Sequence, residues 1–379
     1  MRIAVNTRLL LPGRLEGIGW FTYETMQRIV LAHPQHTFYF LFDRKWSKEF
    51  IFAGNVVPIC VFPPTRHPLL WYLWLEWALP RVLKKIRADV FLSPDGFLSL
   101  STKVPSVAVI HDLNFQHRPQ DLPFLTRSYY RYFFPRFARK AVGIATVSEF
   151  SKRDLINTYG IDPSRIDITF NGANGKYKPL TDTEKEKVKN TYTAGEEYFI
   201  FVGALHPRKN IPRLLKAYEI YRSRPGSRMK LLIVGARMFG NRELTNTLAG
   251  MNHRSDVLFT GRLPAEDLHL LMGAAQALVF VPLFEGFGIP VLEAMQCDVP
   301  VIASNVTSMP EVAGNAALYA DPESVESIAG AMIRITEEPQ LRRQLIEHGR
   351  KRRTMFSWDL TARRLWECLE KTLTQNPAE

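Results

Sequence analysis

The sequence predicts an α/β protein of two doubly wound parallel-sheet domains that face each other across a cleft. Short β-rich apolar runs alternate with amphipathic helical stretches along the whole chain, and such alternation builds parallel sheets covered by helices on both faces. The 379 residues are too many for one ordinary hydrophobic core and enough for two. One polar stretch, residues 174–197, interrupts the alternation near the middle of the chain.

The first half predicts a Rossmann-like domain of residues 1–178. Each of its strands is a short run rich in β-branched and aromatic residues, and polar or amphipathic segments separate the strands. The predicted strands are 2–6, 37–42, 56–62, 90–93, 106–110, 143–147 and 166–170, and the predicted helices are 19–32, 70–87, 124–140 and 149–159.

The second half predicts a related Rossmann-like domain of residues 179–357. Thr181 and Glu184 have the spacing of a capping box, which opens a short helix after the predicted boundary. A last helix, about 358–379, can pack back on the first domain or lie on the second. The strands are predicted at 198–202, 230–234, 257–260, 277–281, 301–303 and 317–319, and the helices at 211–221, 242–251, 264–274, 290–297, 322–336 and 339–353.

Composition favours a cytoplasmic globular protein, since 46% of the residues are hydrophobic and 23% are charged. The start of the chain turns polar too early for a secretory signal. The most apolar stretch, 69–79, is short and contains Glu76, so no membrane-spanning helix is expected. The three cysteines lie far apart, in no metal-ligand pattern, and are expected to be reduced.

Positive charge is concentrated in the first half. Residues 1–178 contain 24 Lys and Arg against 13 Asp and Glu, a balance of +11, whereas residues 179–379 contain 25 against 24, a balance of +1. Such a half favours an anionic partner: a phospholipid surface, a lipid-pyrophosphate acceptor or nucleic acid. Segments 70–87 and 124–140 mix aromatic and basic residues. This pattern suits peripheral attachment to the inner face of the cell membrane, but it is also typical of helices that cover a sheet.

The most informative segment is 284–293, Phe-Glu-Gly-Phe-Gly-Ile-Pro-Val-Leu-Glu. Its proline suits the first turn of a helix, so Glu285 lies in the loop before that helix and Glu293 about one turn inside it. Gly286 and Gly288 allow a ligand to approach the backbone and expose N–H groups at a positive helix end. One such acid could merely complement the helix dipole. Two carboxylates that bracket Gly-x-Gly-x-Pro predict the binding of vicinal hydroxyls.

A second segment, 201–210, reads Phe-Val-Gly-Ala-Leu-His-Pro-Arg-Lys-Asn. Arg208 and Lys209 lie at the N-terminal end of a helix that starts near Ile211, where the helix dipole disfavours each cation by about 0.3–1 kcal/mol. A solvated basic turn leaves this placement unexplained. An anion bound at the same helix end reverses the sign, so the segment predicts a pyrophosphate site.

Together these segments resemble the GT-B "group 1" family of retaining glycosyltransferases, glycosyltransferase family 4. The spacing is most similar to that of the mannosyltransferases that build bacterial polysaccharides. The resemblance is carried by Glu-x7-Glu, by Pro-Arg-Lys-Asn, by Ser308-Met-Pro-Glu-Val-Ala-Gly314, and in the first half by Gly17-Ile-Gly19, Ile110-His-Asp112, Thr146-Val-Ser-Glu-Phe-Ser151 and Asn171-Gly172.

The resemblance implies a role for each matching residue. Glu285 would bind hydroxyls of the donor sugar, Glu293 the ribose hydroxyls, and Arg208 with Lys209 the departing diphosphate. His111 would lie beside the sugar, residues 17–19 would form a loop whose N–H groups contact the phosphates, and residues 260–263 would line the base pocket. The implied catalytic residues are His111, Arg208, Lys209 and Glu285; the implied donor-binding residues are Gly17, Ile18, Gly19, Arg208, Lys209, Gly261, Arg262, Leu263, Glu285, Gly286, Phe287, Gly288, Ile289 and Glu293.

Two positions depart from the family pattern. Many relatives carry Arg where this chain has Ala204, so the phosphate-neutralising charge must come from Arg208 and Lys209. Asp298 occupies a position where Gly is usual, after the helix of the second Glu. Asp tolerates the left-handed conformation better than most residues do, so this change is expected to have little effect.

The expected chemistry uses no metal or other cofactor. The sequence has no Asp-x-Asp motif suited to a metal bridge, so cationic side chains and helix ends are expected to replace Mg²⁺. Retention can proceed through a carboxylate nucleophile or through same-face attack guided by the departing phosphate, and the resemblance implies the second route. His111 ends an apolar strand, where it either acts in catalysis or forms a structural hydrogen bond. Asp112 either orients the His111 ring or is a turn residue.

Other classes fit the residues less well. A dehydrogenase needs Gly-x-Gly-x-x-Gly directly after the first strand, whereas Gly17 follows a long loop and no third glycine is present. Nucleic acid is not an expected partner, because Glu285 and Glu293 would oppose its phosphates. The predicted function is transfer of a hexose, first mannose from GDP-mannose, to a glycan or polyprenyl-pyrophosphate-linked acceptor. A UDP-sugar donor, and an epimerase or phosphorylase of the same fold, remain alternatives.

Overall fold

The computed structural model describes residues 1–236 and 242–375 of the chain. The chain forms two compact units. The N-terminal unit contains Met1–Asn171 and Ser357–Glu379, and the C-terminal unit contains Gly172–Phe356. The division falls slightly before the predicted boundary at 178, because Tyr177 and Leu180 are buried within the C-terminal unit.

The N-terminal unit is built on a seven-stranded parallel sheet in the order β3-β2-β1-β4-β5-β6-β7. The strand order reverses between β1 and β4, which are hydrogen-bonded neighbours. Its strands are buried apolar runs, as the sequence predicts. They are β1 (Arg2–Asn6), β2 (Thr37–Phe42), β3 (Val56–Cys60), β4 (Val90–Ser93), β5 (Ser106–Val109), β6 (Gly143–Thr146) and β7 (Ile166–Ile168).

Helices connect these strands. The predicted helix 70–87 is interrupted by a π-helical turn, Trp74–Ala78, which aims Trp74 and Leu75 into the core under the sheet. The first helix begins two residues before its predicted start at 19. The helices of this part of the unit are α1 (Gly17–Ala32), α2 (Pro68–Leu73), α3 (Leu79–Ile86), α4 (Asn114–His117), α5 (Phe124–Lys140) and α6 (Glu149–Tyr159).

The C-terminal unit is built on a six-stranded parallel sheet in the order β10-β9-β8-β11-β12-β13, with the reversal between β8 and β11. The predicted capping box forms, with both of its hydrogen bonds, between Thr181 and Glu184. The strands are β8 (Tyr198–Val202), β9 (Lys230–Val234), β10 (Val257–Gly261), β11 (Ala277–Phe280), β12 (Val301–Ser304) and β13 (Ala317–Ala320). The helices are α7 (Asp182–Thr193), α8 (Ile211–Arg222), α9 (Arg242–Ala249), α10 (Ala265–Ala274), α11 (Ile289–Gln296), α12 (Met309–Ala313), α13 (Val325–Glu337) and α14 (Pro339–Arg352).

The last helix, α15 (Trp358–Gln375), packs back on the N-terminal unit. The Arg28 guanidinium of α1 pairs with Asp359 at 2.6 Å, the rings of Phe21 and Trp358 lie 6.2 Å apart, and the Thr361 hydroxyl donates to the Phe170 carbonyl. Residues 376–379 of the predicted helix lie outside the described residues. Among the helices described, none is long and apolar enough to cross a membrane.

Because every strand pair is parallel, the loops that follow the strands emerge on one edge of each sheet. Open α/β sheets bind ligands at this carboxyl edge, where the strand order reverses. The pairs β1–β4 and β8–β11 therefore mark the positions at which ligands are expected. That the two domains face each other across a cleft stays a prediction.

Candidate active site

Three charged side chains meet at the reversal point of the C-terminal sheet. Arg208 and Lys209 lie in a 3₁₀ turn, Pro207–Lys209, that follows β8, and Glu285 lies in the loop that follows the neighbouring strand β11. The Oε2 atom of Glu285 accepts a hydrogen bond from Arg208 Nη1 and another from Lys209 Nζ, each at 2.5 Å. The structure thus brings together three residues that the sequence assigns to one site.

Backbone contacts hold the two loops in this arrangement. The Leu283 N–H donates to the Arg208 carbonyl at 2.8 Å, and Arg208 Nη1 donates to the Phe284 carbonyl at 3.1 Å. The Ser308 hydroxyl donates to the Glu285 carbonyl at 2.8 Å. The ion-pair cluster is therefore fixed by main-chain atoms as well as by charge.

Asn210 sets the direction of the helix that follows the cations. It adopts the left-handed conformation at φ 64° immediately before α8, which Asn tolerates better than most residues. Its side-chain amide donates to the Val281 carbonyl at 3.1 Å and to the Pro322 carbonyl at 2.6 Å. Asn210 thereby ties the start of α8 to the end of β11.

The cluster keeps Glu285 ionised. Burial acts to raise the pKa of the Glu285 carboxyl, but the charges of Arg208 and Lys209 outweigh it and the pKa lies below its ordinary value. The side chains of Glu285, Arg208 and Lys209 are only 14%, 20% and 9% exposed. Two cations and one carboxylate leave a net charge of +1 in a poorly hydrated place, which suits an anionic ligand.

The glycine loop after Glu285 adopts a conformation that demands glycine. Gly288 has φ 91° directly before α11, and a Cβ at this position would lie 2.5 Å from the Cε atom of Met309. The helix begins at Ile289, one residue before its predicted start. Gly286, Phe287, Gly288 and Ile289 lead into the N-terminus of α11, and their contact with a donor stays a prediction.

Glu293 lies on α11, in the helix that follows the glycine loop. Burial raises the pKa of its carboxyl to about 7, and a hydrogen bond from the Tyr177 hydroxyl acts in the opposite direction. The structure therefore pairs Glu293 with Tyr177 and does not bring it into contact with Arg208 or Lys209. Its ribose-binding role stays a prediction.

The predicted base-pocket segment follows β10. Gly261 ends the strand with φ 71°, and Arg262 is exposed. Because β9 lies between β10 and β8, this segment is separated from Arg208 by one strand of the sheet. Gly261, Arg262 and Leu263 share the carboxyl edge with the cluster, and their contact with a base stays a prediction.

His111 follows β5 on the carboxyl edge of the N-terminal sheet. Its Nε2 atom lies 2.8 Å from the Pro94 carbonyl, which can only accept, so Nε2 carries a proton and donates. Burial lowers the pKa of His111, which favours the neutral ring with a lone pair on Nδ1. Asp112 is a turn residue, since its Oδ1 accepts from the backbone and side-chain nitrogens of Asn114 at 3.0 and 2.5 Å.

The segment of Gly17, Ile18 and Gly19 is helical, so the prediction that it forms a loop is wrong. It is the first turn of α1, which begins after Glu16. Gly19 is needed for packing, because a Cβ there would lie 2.9 Å from the Leu9 carbonyl oxygen. Phe21 of the same helix contacts the His111 ring edge-on at 4.9 Å, so the structure places the start of α1 beside His111.

Comparison with known proteins decides the family. The chain is 32% identical over 361 residues to O-antigen chain mannosyltransferase B of Escherichia coli, covering 91% of this chain and 93% of that protein. Residues 16–175 match the model of Glycosyltransferase Family 4, and residues 182–352 match that of Glycosyl transferases group 1.

This chain is a family 4 glycosyltransferase.

The glycosyltransferase has other relatives of similar extent. It is 27% identical over 310 residues to O-antigen chain mannosyltransferase RfbU of Salmonella typhimurium, covering 82% of each chain. Its fold matches that of Anabaena HepE, solved with UDP-glucose, with a TM-score of 0.76, 16% identity, and coverage of 98% of this chain and 100% of that one. The fold of the glycosyltransferase is GT-B, as predicted.

Sequence reasoning missed residues whose partners lie far along the chain. Asn210 and Ser308 stand inside the quoted motifs, but nothing local indicates that they tie loops together. Tyr177 gives no signal of its contact with Glu293. Arg8 and Asp95, charged residues just after two strands of the N-terminal sheet, form a buried ion pair in the glycosyltransferase. Their position after strands was the one available signal.

The prediction of chemistry without a metal concerns the side chains that could coordinate a metal ion. Within residues 1–236 and 242–375 of the glycosyltransferase, no group of three or more His, Cys, Asp or Glu side chains is placed to hold a metal ion. Arg208 and Lys209 are the cations beside Glu285 at the strand-order reversal of the C-terminal sheet. Metal independence stays a proposal.

Proposed function

We propose that the glycosyltransferase transfers a hexose, with retention of configuration and without a metal, from a nucleotide-diphosphate sugar to a glycan or lipid-linked acceptor in polysaccharide biosynthesis. Mannose from GDP-mannose is the first candidate. The observation that carries the proposal is the cluster of Arg208, Lys209 and Glu285 at the reversal point of the C-terminal sheet. The two mannosyltransferase relatives support the choice of sugar.

The cluster suits a donor that carries both phosphates and hydroxyls. A diphosphate brings two negative charges to Arg208 and Lys209, which compete with Glu285 for the same donors. As the phosphates take over these cations, the Glu285 carboxylate becomes available to accept hydrogen bonds from sugar hydroxyls. The N-terminus of α11 adds backbone N–H groups and a favourable dipole for charge that develops during the reaction.

The transfer follows from this arrangement. The bond between the anomeric carbon and the phosphate oxygen breaks, and its electron pair leaves with the nucleoside diphosphate. Arg208 and Lys209 stabilise the charge that appears on the departing oxygen. The acceptor hydroxyl oxygen bonds to the anomeric carbon on the same face, and its proton passes to the departing phosphate. His111, neutral with a lone pair on Nδ1, is positioned to accept a hydrogen bond from a sugar hydroxyl on the N-terminal side.

A UDP-hexose is the second candidate donor. Anabaena HepE, whose fold the chain shares, was solved with UDP-glucose. The predicted base-pocket segment does not decide between the bases, because Arg262 can donate to a carbonyl oxygen of guanine or of uracil. The donor assignment therefore depends on measurement.

The experiment is a thermal-shift screen with GDP-, UDP- and ADP-sugars, followed by transfer assays with the sugar that binds. A ligand at 100 times its Kd adds about 2.7 kcal/mol to the free energy of unfolding, so GDP-mannose is expected to raise the melting temperature most. Release of diphosphate that depends on an acceptor would support a transferase, whereas acceptor-independent epimerisation or dependence on inorganic phosphate would support the other activities. If no nucleotide sugar at millimolar concentration shifts the melting temperature, the proposal is wrong.

We also propose that the N-terminal unit attaches to an anionic membrane surface. Large apolar side chains are exposed on α2, on the π-helical turn and on α5, and α2 contacts α5 through the rings of Tyr72 and Phe133, 6.0 Å apart. Other aromatic residues of these segments, such as Trp74 and Phe137, are buried and cover the sheet. The segments therefore contain both residues that cover the sheet and residues that are available to a membrane. The exposed aromatic patch consists of Leu69, Tyr72, Leu73, Trp77, Phe124, Leu125 and Tyr132.

Cations accompany the exposed aromatic patch. The guanidinium of Arg81 lies 5.5 Å from the Trp77 ring, and that of Arg127 lies 5.4 Å from the Phe124 ring. Apolar side chains flanked by cations are the composition of surfaces that bind lipid headgroups. The concentration of positive charge in the first half of the chain supports the same partner.

A further inference from the structure

Arg8 and Asp95 form a buried ion pair at the carboxyl edge of the N-terminal sheet. Arg8 follows β1 and Asp95 follows β4, the two strands between which the strand order reverses. Arg8 Nε donates to Asp95 Oδ2 at 2.6 Å, and the two side chains are only 6% and 4% exposed. The pair thus occupies, in this unit, the position that Arg208, Lys209 and Glu285 occupy in the other.

The Asp95 carboxylate is saturated by other donors, which fixes the pair in place. Its Oδ1 atom accepts from Asn6 Nδ2 at 2.9 Å, from the Ser93 hydroxyl at 2.9 Å and from the Phe97 N–H at 3.2 Å. The Arg8 guanidinium lies over the Phe97 ring, 4.0 Å from its centre. The forked guanidinium group of Arg8 is therefore held in one orientation by the protein alone.

Two nitrogens of this fork have no protein acceptor. Within the Arg8 guanidinium, only Nε has a hydrogen-bond partner among residues 1–236 and 242–375, which leaves the N–H groups of Nη1 and Nη2 without one. The Arg8 side chain is 6% exposed, so these N–H groups reach the surface of the unit and are accessible to a ligand. A ligand with acceptor oxygens would satisfy them.

The surroundings favour a neutral ligand over an anion. Asp95 and Asp112 both act electrostatically on His111, and burial keeps the pKa of that ring low. One guanidinium and two carboxylates sum to −1 with His111 neutral, a balance that repels phosphate. Tyr130 lies beside the same charges, and its ring meets that of Phe97 edge-on at 5.7 Å. Aromatic rings with a few fixed polar groups are typical of pockets for neutral ligands.

We infer that Arg8 binds the acceptor sugar, with its terminal N–H groups donating to hydroxyl oxygens of the neutral hexose that receives the transferred residue. This inference rests on the proposed function and names the acceptor chemistry of the N-terminal unit. It assigns a neutral sugar to this edge of the sheet, so a lipid pyrophosphate that carries the acceptor glycan binds elsewhere.

The test compares acceptors in variants that keep the fold. Removing one partner of a buried pair leaves an uncompensated charge, whereas removing both is often tolerated, so the main variant is Arg8→Met with Asp95→Asn, beside Arg8→Lys. Acceptors are octyl glycosides of mannose and of N-acetylglucosamine, and the same sugars on a polyprenyl pyrophosphate. The KM for the neutral glycosides is expected to rise about tenfold to hundredfold in both variants. The donor KM and acceptor-independent donor hydrolysis stay unchanged.

Arg2→Lys is the matched control, because Arg2 begins β1 at the opposite edge and makes a looser, exposed contact with Asp89 at 3.9 Å. It is expected to behave as the wild type. If the double variant recovers a normal acceptor KM, Arg8 has only a structural role and the inference is wrong. It is equally wrong if the KM rises for pyrophosphate-linked acceptors alone. A wild-type protein that binds no nucleotide sugar would refute the proposed function instead.

Discussion

Glu285 forms ion pairs with two cations, and a donor that binds these cations must compete with its carboxylate. Its carboxylate stabilises Arg208 and Lys209 at 2.5 Å each. Because phosphates and this carboxylate compete for the same N–H donors, donor binding exchanges one set of ion pairs for another. Under the proposed function, the residue that contacts the sugar is thus also the one that pairs with the two phosphate-binding cations.

Glu285→Gln is expected to separate these two roles. The variant raises the local charge from +1 to +2, so GDP is expected to bind at least as tightly and to raise the melting temperature more than in the wild type. Removing one partner of a fully buried ion pair lowers the free energy of unfolding by about 3–5 kcal/mol. The unliganded variant is expected to lose less, because this cluster is partly exposed. Transfer is expected to fall by roughly 100-fold or more. Calorimetry with GDP, thermal melts and a transfer assay measure the three quantities.

Lys209→Met is the complementary control, because it lowers the local charge to zero. GDP affinity is expected to fall in this variant, in the opposite direction from Glu285→Gln, while transfer falls in both. Equal GDP affinity in the two variants would show that the cluster does not bind the diphosphate.

If Glu293 binds the ribose as predicted, donor binding is expected to depend on pH near neutrality. Its pKa of about 7, raised by burial, lies above the ordinary value, so the folded protein holds this proton more tightly than the unfolded chain. The contribution of Glu293 to stability is therefore fully present at low pH and is lost as the pH rises through 7. Ribose hydroxyls bind better to the ionised carboxylate, so the affinity for an intact nucleotide sugar is expected to rise between pH 6 and pH 8.

Glu293→Gln removes the titrating group and is expected to flatten both pH dependences. An intact nucleotide sugar is the correct ligand, because its diphosphate is a diester with no group that titrates near pH 7. Calorimetric titrations at several pH values, on both proteins, measure the effect. A variant that keeps the wild-type pH dependence would assign it to another group, such as His111.

At the scale of elements, the strands could be predicted from sequence because their signal is local. Buried parallel strands are continuous apolar runs bounded by turns, and every predicted strand is present within a residue or two of its predicted bounds. The site loops could be found for the same reason, since polar and glycine-rich segments that directly follow such runs lie at the carboxyl edge. Asp298 adopts the left-handed conformation, with φ 56°, at the position where Gly is usual; that Asp has little effect there stays a prediction.

The contacts between elements could not be predicted, because they depend on strand order. Arg8 and Asp95 are 87 positions apart, and they meet only because β1 and β4 are neighbours. Glu285 meets Arg208 through the neighbouring strands β8 and β11 in the same way. Local patterns also give no sign of the π-helical turn before α3. They place the start of the first helix at Gly19, and the loop at residues 17–19 is implied by the family resemblance, whereas the helix begins at Gly17.

At the scale of the whole molecule, the two sheets follow one plan with different charges. Each carries an ion pair at its strand-order reversal, fixed by hydrogen bonds from neighbouring loops. The pair in the C-terminal unit has an excess cation, which suits a diphosphate. The pair in the N-terminal unit is balanced, with a further carboxylate nearby, which suits a neutral sugar. Under the proposed function and the inference for Arg8, the two units would thus bind ligands of different charge, a nucleotide diphosphate and a neutral sugar.

The unit to which we assign the acceptor also carries the exposed aromatic patch, and this predicts that the enzyme works at a membrane surface. Trp77 and Phe124 are 56% and 68% exposed, and burying each in a lipid interface contributes about 1.5–3 kcal/mol. Wild-type protein is expected to float with phosphatidylglycerol vesicles, less so at high salt, and Trp77→Ser with Phe124→Ser is expected to lose most of this binding. Leu31→Ser, at a side chain 58% exposed on α1, is the control. Equal flotation of all three proteins, or none by the wild type, would contradict membrane attachment through this patch.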